Sequence, residues 1–133
     1  MKHLFTLFLL IISISSCQTP RDKRIEKEAR DYTEKHCPKW IDACTLLDST
    51  TYDIPSRTYT YWYTVSGDAD NDAFFSDLQA DTILARQRYA EALRNDPNLK
   101  QTLEAEINIR YHYRSQSNGL LRFTITVTPD DYK

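Results

Sequence analysis

Thiols, imidazoles and carboxylates are the side chains in this sequence that could do chemistry. The thiols are Cys17, Cys37 and Cys44, and beyond the first sixteen residues the imidazoles are His36 and His112. A thiol beside an imidazole can act as a nucleophile, because the attacking species is the thiolate. His36 adjoins Cys37 where a predicted helix ends, and His112 lies between Arg110 and Arg114 on a predicted strand. As a metal site, Cys37, Cys44 and His36 fit zinc poorly: its cysteine pairs are usually two to four residues apart and need a second pair. Asp42, Asp48 and Asp53 are close in sequence, but Asp48 and Asp53 flank a small hairpin, whereas glycoside hydrolysis needs two carboxylates facing each other across a cleft. Asp68-Ala69-Asp70-Asn71-Asp72 has the composition of a calcium loop but lacks its glycine and distal glutamate, and reads as a helix cap. There is no Gly-x-Ser-x-Gly, and two glycines in the whole chain exclude glycine-rich phosphate loops. The expectation is a non-enzyme that needs neither cofactor nor metal.

The third cysteine has a different context. Lys2 precedes an apolar run from Leu4 to Ile12, too short for a membrane span of about 20 residues but suited to the apolar region of an export signal. Ile14-Ser15-Ser16-Cys17 then resembles the lipobox of bacterial lipoproteins: an aliphatic residue, two small residues and the cysteine. The resemblance implies diacylglycerol on the Cys17 sulfur, cleavage before Cys17 and acylation of the new N-terminus. Two or three acyl chains hold a protein stably to a bilayer where one does so only marginally. The organisation expected is therefore a signal peptide over 1–16, a lipidated polar tether over 17–22 and one domain over 23–133. The residues after Cys17 lack an acidic cluster, which favours an outer-membrane position facing the periplasm. With Cys17 acylated, Cys37 and Cys44 remain as an even pair outside the cytoplasm, which predicts a disulfide contributing roughly 2–3 kcal/mol for so short a loop.

The chain of 133 residues has room for one domain, and its formal charge of −2 offers no general attraction for nucleic acid or anionic lipid. Apolar periodicity sets the elements. Ile25, Ala29, Tyr32 and His36 form one helical stripe over Arg21–His36, which Pro38 ends. Thr45–Asp53 reads as a strand, Ile54-Pro55-Ser56 as a turn. Over Arg57–Val65, Tyr59, Tyr61, Tyr63 and Val65 alternate with threonines and Trp62. A long helix is predicted over Asp72–Arg94 on the stripe Phe75, Leu78, Thr82, Ala85, Tyr89 and Leu93, followed by a short helix from Asp96-Pro97. Ile107–Arg114 and Leu121–Val127 alternate again, joined through Asn118-Gly119.

Each strand has one apolar face, as in an antiparallel sheet covered by helices on one side and wet on the other. The fold class expected is α+β: helix, hairpin, long helix, short helix, hairpin, with a four-stranded antiparallel sheet in a cystatin-like layout. Tyr59, Tyr61, Tyr63, Tyr111 and Tyr113 should share the covered face as core or core rim. On the open face Trp62, Arg110, His112, Arg114 and Arg122 would form an aromatic-basic patch if the two hairpins are neighbours, and Trp and Arg are favoured interface anchors.

The segment from Cys37 to Tyr132 also resembles a family of small exported bacterial proteins of unknown function. The resemblance rests on Cys37-Pro38-Lys39-Trp40-Ile41-Asp42 with Thr45 and Leu47-Asp48-Ser49, on Tyr59-Thr60-Tyr61-Trp62-Tyr63, and on Ile107 to Tyr113 with Gly119 and Phe123-Thr124-Ile125. The family's cysteines near the end of the long helix and at the C-terminus are missing. The resemblance implies the fold and a location outside the cytoplasm, and the family has no established activity to carry over. The expected function is a membrane-anchored, non-catalytic envelope lipoprotein that binds an envelope protein partner. An inhibitor or immunity lipoprotein is the alternative, and an envelope hydrolase the least favoured.

Overall fold

The structure, a computed structural model, describes residues 19–133; the leader and Cys17 lie outside the described residues. Thr19 caps the first helix, α1 (Pro20–His36), by accepting a hydrogen bond from the Asp22 N–H, and proline occupies the first turn, where its missing N–H costs nothing. The helix predicted from Arg21 thus begins one residue earlier, inside the stretch 17–22 expected as a tether, and Asp22 is only 2 % exposed. Its carboxylate accepts hydrogen bonds from the Tyr52 hydroxyl (2.8 Å) and the Thr19 hydroxyl (2.9 Å), with the Arg57 guanidinium 4.0 Å away. These contacts tie the start of α1 to the sheet.

The sheet has five strands in the order β1 (Lys39–Trp40), β2 (Thr45–Asp53), β3 (Thr58–Val65), β4 (Asn108–Ser115), β5 (Leu121–Val127). The β2–β3 and β4–β5 hairpins form as the alternation predicts. Two features correct the expected four-stranded antiparallel sheet. The two-residue strand β1 pairs with β2, and the hairpins join through a parallel pairing of β3 with β4. The chain between β3 and β4 runs over one face of the sheet as helices, which lets it return to the same end and pair in parallel.

That helical layer differs from expectation at one point. The long helix is two helices, α2 (Asp72–Ala80) and α3 (Thr82–Arg94). Asp81 leaves helical geometry (φ −140°, ψ 85°), and its side chain accepts the Leu84 N–H to cap α3. Thr82, placed on the buried stripe by periodicity, is exposed at this junction, whereas Phe75, Ala90 and Leu93 are buried. A 3-10 turn at Pro97–Leu99 leads into the short α4 (Lys100–Glu104), and after β5 the chain closes with α5 (Pro129–Tyr132). The core lies between the sheet and these helices and includes Ile25, Phe75, Val65, Ile107, Ile109, Ile125 and Val127.

One outer edge is covered by side chains. Past its pairing with β1, β2 offers unpaired backbone groups at Thr50. The Thr33 hydroxyl of α1 accepts the Thr50 N–H (2.8 Å) and lies 2.9 Å from the Thr50 carbonyl. An unpaired strand edge is a template for aggregation, and here one threonine occupies it.

Cys37 and Cys44 are two free thiols in the structure, which corrects the expected disulfide. The cause is the register of β1 against β2, with Lys39 opposite Leu47 and Trp40 opposite Leu46. Cys37 lies beyond Lys39 on the side away from the turn, and Cys44 lies before Leu47 on the turn side. At about 3.3 Å per residue this separates them by on the order of 16 Å along the strands, where bridged Cα atoms are about 6 Å apart. The turn closes instead through the Asp42 carboxylate, which accepts the N–H groups of Cys44 and Thr45, both at 2.8 Å.

Candidate functional site

The open face of the sheet carries four of the five residues expected there. Parallel pairing sets Trp62 directly beside His112, with ring centroids 4.5 Å apart and planes inclined by 30°. The Trp62 indole N–H donates to Thr51 Oγ1 on β2 (2.8 Å). On the other side His112 Nδ1 lies 2.7 Å from Thr124 Oγ1 on β5. Thr51, Trp62, His112 and Thr124 thus form one rung across four strands, with the indole lying along the sheet. Arg110 and Arg114 flank His112 on β4. The Arg110 Nε–H donates to Thr126 Oγ1 (3.2 Å), and Arg114 is exposed.

Burial, followed by the charges of Arg110 and Arg114, pushes the His112 imidazolium below its ordinary pKa. At neutral pH it is an uncharged ring, able to stack on Trp62 and to hydrogen-bond Thr124. The face is bipolar. Asp48 on β2 accepts the Thr64 hydroxyl (2.6 Å), and Asp53 at the end of β2 is held below the usual carboxylate range chiefly by Ser56 hydrogen bonds, with a smaller contribution from Arg110.

Arg122 is the exception. A bulge between the Tyr113–Phe123 and Arg114–Leu121 pairs inserts one extra residue into β5, and bulges re-aim side chains. Arg122 turns toward the helices: its guanidinium lies 4.7 Å over the Phe75 ring and pairs with Asp72 of α2 at 2.6 Å. It fastens α2 to the sheet and does not belong to the patch.

Other expected constellations separate. His36 is exposed at the end of α1 and lies tilted against Tyr32, with ring centroids 4.8 Å apart, away from His112 on the other face. Burial and the nearby Asp48 push the Cys37 thiol up, so it is a weaker nucleophile than a free cysteine. Asn71 caps α2 through Phe74 N–H, and Asp70 is engaged by Ser115 and Ser117, which accounts for the acidic loop. Among the described residues no group of three or more His, Cys, Asp or Glu side chains could hold a metal ion, and no helix is long and apolar enough to cross a membrane.

A feature that alternation could not reveal lies on the covered face. α1 covers β2, and between α1 and the Asp96–Thr102 segment a cleft of about 500 Å³ remains. Tyr59, Tyr61 and Tyr63 form its floor, with Leu47, Leu99 and Ile109 among its walls. The five tyrosines do share the covered face, but only Tyr111 among them is buried. Tyr61, Tyr63, Tyr111 and Tyr113 stand as a two-by-two array, with stacked neighbours 5.0–6.5 Å apart. A larger, shallower hollow of about 780 Å³ near the C-terminus is lined mainly by charged and polar residues.

A five-stranded mixed sheet with helices on one face defines an α+β domain. The chain belongs to the family described as a domain of unknown function, DUF8479, which it matches over residues 20–123. No curated protein matches its sequence. Among solved structures it is similar to a protein of Pseudomonas aeruginosa provisionally described as secreted. That match has a TM-score of 0.66 and 10 % identity, and covers 87 % of this chain and 99 % of the other. The pilotin EpsS of the Vibrio vulnificus type 2 secretion system is also similar, with a TM-score of 0.58, 10 % identity and coverage of 84 % and 91 %. At such identity the likeness is one of fold.

Proposed function

We propose that this protein is a non-catalytic, lipid-anchored module of the bacterial cell envelope that binds an acidic surface of an envelope protein through the open face of its sheet. One observation carries the reading: the stacked Trp62–His112 rung lies between Arg110 and Arg114 on a face that no helix covers. A flat aromatic anchor whose polar tip is satisfied gives contact area at little conformational cost. The two guanidiniums favour carboxylates in the partner. Fold likeness to a pilotin and to a protein described as secreted agrees with the envelope assignment.

The anchor is Cys17, acylated after cleavage of residues 1–16, in the outer membrane with the domain facing the periplasm. Only Gln18 separates it from the Thr19 cap, and α1 runs from Asp22 beside Tyr52 to Thr33 beside Thr50. The lipid is thus attached two residues before the cap of a helix docked on the sheet. Intact-mass measurement checks the anchor: acyl chains on a chain beginning at Cys17 are expected, and an uncut, unacylated chain overturns it. For the binding face, crosslinking in cells followed by pull-down should recover a partner with the wild type and lose it with Trp62→Ala/Arg110→Ala. Unchanged recovery by a variant that melts like the wild type would end this reading.

A further inference from the structure

The tyrosine-floored cleft lies on the opposite side of the sheet from the proposed partner face. Its volume of about 500 Å³ falls within the roughly 300–1,000 Å³ of small-molecule sites. Its chemistry is uneven. The floor and walls are aromatic and aliphatic, and three charges from three separate elements line it: Glu28 of α1, Lys39 of β1, and Asp96 before α4. Lys39 has no carboxylate partner among the described residues. Glu28 makes only an exposed 3.5 Å contact with Arg24. Asp96 uses one oxygen to cap Asn98 and keeps the other. The Tyr61 and Tyr63 hydroxyls donate to no described residue, and burial keeps both phenols protonated. Two carboxylates and one ammonium thus border a floor of aromatic rings that carries two free hydroxyls, and no ion pair joins these charges.

A purely apolar ligand would leave these polar groups unanswered, and a simple anion or cation would meet the wrong charge at one side. A ligand with both charges and an apolar body answers all of them. We infer that the cleft binds a single amino acid or short peptide as a zwitterion. Its apolar side chain lies on the tyrosine floor, its ammonium meets the Glu28 and Asp96 carboxylates, and its carboxylate meets Lys39. The groups that hold it come from α1, β1 and the Asp96 turn, so the site exists only once the helices are docked on the sheet.

The test is a titration of the isotope-labelled full chain with leucyl-phenylalanine, followed by amide NMR. Saturable shifts are expected around Lys39, Tyr61 and Asp96, with the Trp62 indole and His112 signals unmoved. Acetylating the peptide amine, or amidating its carboxylate, should each weaken binding about tenfold. Lys39→Gln, an exposed change that leaves the core intact, should cost the free peptide the same factor and make no difference to the amidated one. Tyr61→Leu should abolish binding while the thermal transition remains cooperative. No saturation below about 10 mM, or equal binding of free and capped peptides, overturns the proposal. Its failure leaves the open-face reading untouched, because that reading is tested by Trp62 and Arg110.

Discussion

The contact that decides how firmly α1 is held is the Asp22–Tyr52 hydrogen bond, and its strength can be worked out from the surroundings. Tyr52 is 6 % exposed and Asp22 2 % exposed, so neither group can turn to water when its partner is removed. Asp22→Ala strands the Tyr52 hydroxyl and deletes a charge-assisted bond. The expected loss is about 3 kcal/mol, from roughly 1.5–3 kcal/mol for the bond plus the desolvated donor. Tyr52→Phe leaves the carboxylate with Thr19 and Arg57, so about 1.5–2 kcal/mol is expected. The double variant should cost less than the sum, with a coupling of about 1.5 kcal/mol. For a domain of this size, at roughly 2.1 cal/mol/K per residue, Asp22→Ala should lower Tm by about 12 °C.

The pH dependence gives a second readout. The Tyr52 hydrogen bond, then those from Thr19 and the charge of Arg57, hold the Asp22 carboxyl below the usual carboxylate range, against the opposing effect of burial. The folded state therefore prefers the ionised form. The stabilisation is complete above the unfolded carboxylate pKa of about 4 and is lost as pH falls through the lowered folded value. The Tm gap between wild type and Asp22→Ala, followed by circular dichroism, should be constant from pH 7 to 5 and narrow toward pH 2. A coupling below about 0.5 kcal/mol, or a gap indifferent to pH, would refute the reasoning.

Thr33→Val should remove the hydroxyl that occupies the β2 edge at Thr50, costing about 1–2 kcal/mol and raising light scattering on warming, since the exposed edge can pair with another chain. An unchanged aggregation onset would mean that the edge is guarded otherwise. His112→Gln should flatten stability between pH 7 and 5. The folded His112 pKa is depressed, so its contribution is present above the unfolded value near 6.5 and lost as pH falls. Parallel wild-type and variant profiles in thermal melts would count against the stacked neutral ring.

Much of this fold was legible in the sequence, because period-two alternation reports which face a residue takes. Tyr59, Tyr61, Tyr63, Ile109 and Tyr111 fall on the covered face, and Trp62, Arg110, His112 and Arg114 on the open one, as the pattern required. Alternation is silent about neighbours, so nothing in it distinguished a parallel β3–β4 seam from an antiparallel one. Strand β1 is two residues long, too short for any period to register. Arg122 was misplaced because a single inserted residue reverses a side chain's face, and a bulge leaves no mark on an alternating pattern. Thr82 was misplaced because Asp81 interrupts the helix as a cap, where a stripe of apolar residues reads straight through. Even parity paired Cys37 with Cys44, whereas the hairpin register keeps them apart. The tyrosine cleft depends on how far α1 and the Asp96–Thr102 segment are held apart, a distance set by tertiary packing alone.

The parallel seam at the centre of the sheet has a consequence for how the chain assembles. The polypeptide leaves β3 at Val65 and does not come back beside it until Asn108, whereas every other seam joins strands linked by a short turn. Closing so long an intervening loop carries the largest entropy loss of any strand pairing here. The outer hairpins are therefore expected to form early, and the two halves to meet late. A chain that stops short of Asn108 would hold Trp62 without His112, so the stacked pair on the open face forms only when the two halves have met.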